Sequence, residues 1–115
     1  MSGFKEYPNY DATGLAQLVR DKEVTPAELL DEAISRAQAV NPKINSIINP
    51  LYEQAKQAQD NLPSGIFSGV PFLLKDLLGD VKGVPTSNGS SAYEGLVPNE
   101  DATLVNRFKT SGVNI

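Results

Sequence analysis

The stretch that most constrains the fold of this chain is Gly69-Val70-Pro71-Phe72-Leu73-Leu74-Lys75-Asp76, its longest apolar run, which ends on a lysine. An apolar run of about four to eight residues bounded by turn signals predicts a strand buried on both faces. Gly69 and Pro71 mark its start, because proline fits the first positions of a strand. The spacing therefore predicts Phe72–Lys75 as a central strand, and Phe72–Lys75 as helix or exposed loop would end that expectation. In open α/β sheets ligands gather outside the carboxyl ends of the strands, which is where Lys75 would stand. Burial among Phe72, Leu73, Leu74, Leu77 and Leu78 would disfavour the ammonium, and a neutral amine is a base. The competing reading is a lysine that packs its stem and carries its charge into water.

Capped amphipathic helices flank this run, so the expected class is α/β, with helices on a mixed sheet. Residues 1–10 carry Gly3 and Pro8 without any period and read as an irregular arm. Asp11 or Thr13 can accept a first-turn amide and start a helix whose stripe is Leu15, Leu18 and Val19. Thr25-Pro26-Ala27-Glu28 is the clearest start: a cap, proline at the first helical position, and a glutamate that can reach back. Leu29, Leu30, Ala33, Ile34 and Ala37 follow on one face. That helix is expected to end by Asn41, since the residue before a proline disfavours helical angles. Ile44, Ile47 and Ile48 fit a short strand or an extended connection. Asn49-Pro50 repeats the cap-plus-proline signal and predicts a third helix to about Asp60, with Leu51, Ala55 and Ala58 inward.

Gly79 to Glu94 holds glycines, a proline and small polar residues, which suits either a substrate-facing loop or an ordinary connection. Ser90-Ser91 lacks the Gly-x-Ser-x-Gly setting of a nucleophile elbow and reads as a structural serine turn. Asn99, Glu100 and Asp101 place acids at the start of a fourth helix. Leu104, Val105 and Phe108 mark its inner face, and Gly112 its left-handed end. Val113-Asn114-Ile115 reads as the opening of a strand. Strands usually run about five or six residues, so the sequence has the look of a piece cut from a longer chain.

The 115 residues suffice for one modest core. Net charge is −4, from 10 basic and 14 acidic residues, and no basic cluster stands out. Nucleic acid is therefore a poor partner. Cysteine and histidine are both absent, which excludes disulfides, thiol nucleophiles, a Ser-His-Asp triad and histidine-metal centres built from this chain alone. No cofactor and no metal is called for. No apolar stretch follows Met1, so no signal peptide or membrane span is expected and a cytoplasmic location is the default.

Gly69-Val70-Pro71-Phe72-x-x-Lys75-Asp76, then Gly83-Val84-Pro85-Thr86-Ser87-x-Gly89-Ser90, resembles the amidase signature family. Asp101-Ala102-x-x-Val105-x-Arg107 and Ser111-Gly112-Val113 fit the same pattern. The resemblance runs from about Thr13 to the last residue, and the Lys75 block is its most specific part. Val40-Asn41-Pro42-x-Ile44-Asn45 and Pro71-to-Leu77 are similar to the branch that hydrolyses cyclic 6-aminohexanoate dimers and related amides. The resemblance implies an α/β/α sandwich with a mixed central sheet, of which residues 1–115 would be an amino-terminal portion. It also implies that Lys75 matches the catalytic lysine, which takes a proton from a bridging serine held by a cis peptide bond. That serine activates a second, nucleophilic serine, and an acyl-enzyme forms and is hydrolysed. Both serines belong to downstream Gly/Ser-rich segments; Ser87, Ser90 and Ser91 do not match them. The chain would thus hold one of the three catalytic groups and be inactive alone.

The implied partner is a small-molecule amide substrate, linear or cyclic, with no nucleic acid and no membrane, and a homodimer is an allowed assembly. Two other classes stay open: an amidotransferase component for tRNA-dependent amidation, which would work only with partners, and a non-enzymatic interaction module, which would melt cooperatively by itself.

Overall fold

Capping chemistry fixes most of the regular structure. The computed structural model describes residues 3–115; of the expected amino-terminal arm, Met1 and Ser2 lie outside the described residues, and the remainder contains a single 3-10 turn at Tyr7–Asn9. Helix α1 spans Ala12–Arg20, and its cap is Asp11, whose carboxylate accepts the Gly14 amide at 2.7 Å. Helix α2 spans Pro26–Ile44 with the full capping box: the Glu28 amide donates to Thr25 Oγ1 at 3.2 Å, and the Thr25 amide donates to Glu28 Oε2 at 2.9 Å. Helix α3 spans Tyr52–Ala58 and α4 spans Thr103–Thr110.

Several expectations need correction. Helix α2 does not stop at Asn41 but continues through Pro42 to Ile44. The cost of a proline inside a helix is offset locally. Asn45 closes the helix in the left-handed region, its amide bonding the Asn41 carbonyl, and the Asn41 side chain both donates to Ile47 O (3.0 Å) and accepts from the Ile47 amide (2.8 Å). Ile44 ends α2 and no strand forms at 45–48, which make an irregular connection, with Ile44 and Ile48 exposed. Asn49 does not cap α3; its amide group donates to the Pro85 carbonyl instead, and α3 begins after Leu51 without a side-chain cap. Ala55 is the buried residue of α3, whereas Ala58 is exposed. In α4, Val105 is fully buried and Leu104 is exposed. Gly112 does take the left-handed conformation (φ +92°), and a Cβ there would lie 2.6 Å from Ser68 Cα.

The core is split. Leu15 and Ala16 of α1 meet Val24, Leu29 and Val70, with Phe4, Tyr7, Leu18, Val19 and Phe67 around them. A second, smaller cluster joins Leu30 and Ile34 of α2 to Ala55 of α3, with Tyr52 packed against it. The radius of gyration is 14.6 Å, against about 13 Å for a closed domain of this length.

The expected central strand is the main correction. Among the described residues there is no sheet, only one parallel bridge, Pro71 with Asn114. The Asn114 amide donates to Val70 O and the Phe72 amide to Asn114 O, both at 2.8 Å. This register puts Leu73 beyond the last rung, and among the described residues nothing pairs with 73–75. Phe72 is therefore bonded through its amide, while 73–75 make no main-chain hydrogen bond among the described residues and Leu73 is 71% exposed. The α/β/α sandwich is not seen; the described chain is helical with a bridge at its centre.

Candidate functional site

The bridge at Pro71 delivers Lys75 to one wall of an open apolar cavity of about 440 Å³. Leu30, Ile34 and Val40 of α2, Tyr52 of α3, Phe72, Leu74 and Asn114 share that lining. Phe72 is steadied from outside by the Phe108 ring of α4, with centroids 4.8 Å apart. Asn114 is buried, and its side chain donates to the Ala55 carbonyl at 2.9 Å, which ties the bridge to α3. Lys75 itself is exposed, and among the described residues its side chain has no hydrogen bond or ion pair. The apolar neighbours that would desolvate it are themselves open to water: Leu73, Leu77 and Leu78 are all exposed.

Beside Lys75 stands a polar node that sequence reasoning missed. The Asp76 carboxylate accepts Thr86 Oγ1 at 2.7 Å, Ser87 Oγ at 2.8 Å and the Ser87 amide at 3.0 Å. The Thr86 hydroxyl, followed by the Ser87 hydroxyl and amide, holds the Asp76 carboxyl below the usual carboxylate range against an opposing effect of burial. Ser87 is thus a donor in this node through both its hydroxyl and its amide. Nearby, the Leu78 amide donates to Asn88 Oδ1 at 3.2 Å. Thr86 is buried, and its own amide donates to Leu96 O. The one signal in the sequence is the pairing of Lys75-Asp76 with Thr86-Ser87, polar residues that bracket a glycine-containing loop.

A second clamp closes the same loop from the other side. Asp101 accepts the Lys82 amide at 2.8 Å and pairs with Lys109 of α4, while the Ala102 amide donates to Asp80 O. Burial pushes the Asp101 carboxyl up, but the Lys109 hydrogen bond, the Lys82 amide and both cations together bring it below its ordinary value. The acids expected to favour the α4 dipole thus do something else in the case of Asp101. Ser90 caps the 3-10 turn Ser91–Tyr93 by accepting the Ala92 amide, as a structural serine turn requires. Among the described residues no group of three or more acidic side chains converges as a metal site would, and no helix is long and apolar enough to cross a membrane.

Comparison with known proteins places these features. The family model described as Amidase matches residues 28–115. The 6-aminohexanoate-cyclic-dimer hydrolase of Paenarthrobacter ureafaciens is 44% identical over 104 residues, covering 89% of this chain and 21% of that protein. A glutamyl-tRNA(Gln) amidotransferase component from Halothermothrix orenii is 31% identical over 105 residues, covering 90% of this chain and 22% of the relative. A solved 6-aminohexanoate cyclic dimer hydrolase superposes with a TM-score of 0.84 at 40% identity, over 91% of this chain and 22% of that one. The chain spans about a fifth of the length of the curated relatives it matches.

Proposed function

The chain belongs to the amidase family, and from that premise we propose that it is the amino-terminal portion of a single amidase domain in which Lys75 is the catalytic base. The observation that carries the reading is the position of Lys75: it follows the Pro71–Asn114 bridge and opens onto the apolar cavity, inside the stretch that the family model matches. The proposed reaction is hydrolysis of a carboxylic amide, linear or cyclic. Lys75 takes a proton from a bridging serine, and that serine takes one from the nucleophilic serine, which otherwise is weak. The carbon–oxygen bond of an acyl-enzyme forms as the carbon–nitrogen bond breaks, the amine leaves with the relayed proton, and water releases the acid. Backbone amides would steady the oxyanion. The two serines lie downstream of this sequence in the proposed enzyme, so residues 1–115 alone are expected to be inactive. A cytoplasmic enzyme acting on a small-molecule amide goes with this reading.

The amidotransferase relative supports a second reading, in which the same chemistry serves amidation on a charged tRNA. The higher identity to the cyclic-dimer hydrolase favours the first. The protein encoded by the complete reading frame separates them. Purified alone, it is expected to hydrolyse a simple amide; activity only with partner proteins and glutamine would move the assignment to the amidotransferase. Lys75→Ala is expected to abolish hydrolysis with the circular dichroism spectrum unchanged. Lys75→Arg is expected to fail as well, because a guanidinium cannot deprotonate in a protein. Activity of Lys75→Arg within about tenfold of wild type, only ~1.4 kcal/mol in barrier, would make the lysine a positioning charge and overturn the relay.

A further inference from the structure

We infer that Asp76 is a positioning residue for Lys75, acting with Thr86 and Ser87 as a latch that fixes the backbone on which the lysine stands. This rests on the reading of Lys75 as the base.

The lysine side chain has no hydrogen bond or ion pair of its own among the described residues, so its location is set through the main chain. Upstream the main chain is held at Phe72, whose amide donates to Asn114 O. Between Phe72 and Asp76 no main-chain hydrogen bond is made among the described residues. The next hold is Asp76, one residue beyond the lysine. Its carboxylate collects two hydroxyls and an amide from Thr86 and Ser87. The receiving side does not give way: Thr86 is buried, its amide is bonded to Leu96 O, and the Gly83 amide is bonded to Pro98 O. After Asp76 the chain turns back so closely that a Cβ on Gly79 would sit 2.8 Å from the Lys75 carbonyl oxygen. Releasing the carboxylate removes the hold next to Lys75, and the remaining nearby bond is Leu78 N–H to Asn88 Oδ1.

The arithmetic of positioning gives the size of the effect. Misplacing a catalytic group by about 1 Å costs on the order of 100-fold in rate. A latch of this kind acts on chemistry more than on substrate affinity, so the loss belongs in kcat and not in KM. A clamp that merely stabilises the loop would show neither that split nor a dependence on the Thr86 hydroxyl.

The test uses the full-length protein and steady-state hydrolysis of a simple amide, with circular dichroism on each variant. Asp76→Asn, which turns an acceptor for Ser87 into a donor, is expected to lower kcat about 100-fold with KM within about threefold. Thr86→Val removes one bond and is expected to lower kcat about tenfold, and Thr86→Ser, which restores the hydroxyl, to recover kcat to within about twofold of wild type. Should Asp76→Asn fail to fold, the Thr86→Val and Thr86→Ser pair decides. Lys75→Ala inactive while Asp76→Asn or Thr86→Val keeps kcat within about threefold would overturn the latch and leave the lysine in its role. Thr86→Ser as slow as Thr86→Val, or a loss confined to KM, would overturn the latch as well. An active Lys75→Ala would remove the catalytic reading beneath it.

Discussion

Helix α2 and the Phe72–Leu78 segment each carry adjacent leucines, and the chain treats them in opposite ways. Leu29 and Leu30 of α2 are buried, at 0% and 4% exposure, while Leu73 and Leu78 stand at 71% and 77%. The difference is not in hydrophobicity. A helix satisfies its backbone internally and needs only an apolar neighbour for one stripe, which α1 and α3 supply from adjacent sequence. An extended segment must find backbone partners on its flanks, and the register at Pro71 supplies one rung. An apolar extended run therefore becomes core only where other segments supply both its backbone partners and its apolar neighbours. Leu78 carries a further mark of this: it sits in the left-handed region, φ 60°.

The buried leucines of α2 should be the most costly to truncate. Leu29→Ala empties a fully buried site, a change worth about 2–5 kcal/mol, and should show as a large loss of helical circular dichroism from residues 1–115 in buffer. Leu73→Ala in the same material should leave that helical signal nearly unchanged, since an exposed substitution is usually worth no more than about 0.5 kcal/mol. Equal losses at the two sites would mean that the run is covered after all.

Association sharpens the contrast next. Exposed Leu73, Leu77 and Leu78 beside an unpaired strand edge favour self-association. The isolated chain is expected to show concentration-dependent size in sedimentation and a broad, non-cooperative melt. Leu73→Lys together with Leu78→Lys should reduce both the size and the binding of a hydrophobic dye. A sharp two-state monomer would contradict the expectation.

Local chemistry gives smaller changes. Thr25→Ala removes half of the capping box and should cost about 1 kcal/mol in the α2 signal. Leu78→Gly should be neutral or stabilising by up to about 1 kcal/mol, since a side chain in the left-handed region carries that order of strain. Stabilisation at one leucine and a multi-kcal loss at the other would be the cleanest form of the comparison.

The smallest effect is with pH. Asp76 and Asp101 both have carboxyl pKa values held down in the folded chain. Each binds a proton more readily when unfolded, so its stabilising contribution is fully present above the unfolded value of about 3.9 and fades as pH falls through the lower folded value. Carboxyl carbon NMR titration should place both midpoints below that of an unfolded aspartate. A midpoint for Asp76 at or above the ordinary value would dissolve the node with Thr86 and Ser87.

By itself the sequence determined what is decided within about one helical turn. The Asp11 cap, the Thr25–Glu28 box, the serine turn at Ser90 and the left-handed Gly112 are all local bonds or local sterics, and all appear as read. The Lys75 block was legible as a pattern, but the buried central strand expected before it does not form among the described residues. The tertiary structure decided what depends on distant residues. Asn49 was readable as a cap, yet its side chain bonds Pro85, 36 residues away. Asp101 left the helix start for Lys82 and Lys109. Asn114 reaches Ala55 across 59 residues, and the Asp76 latch spans 10 to Thr86 and 11 to Ser87. Whether Phe72–Lys75 becomes a strand is of the same kind. Strand propensity lies in its residues, but the ladder lies in a partner, and among the described residues that ladder is the single Pro71–Asn114 bridge.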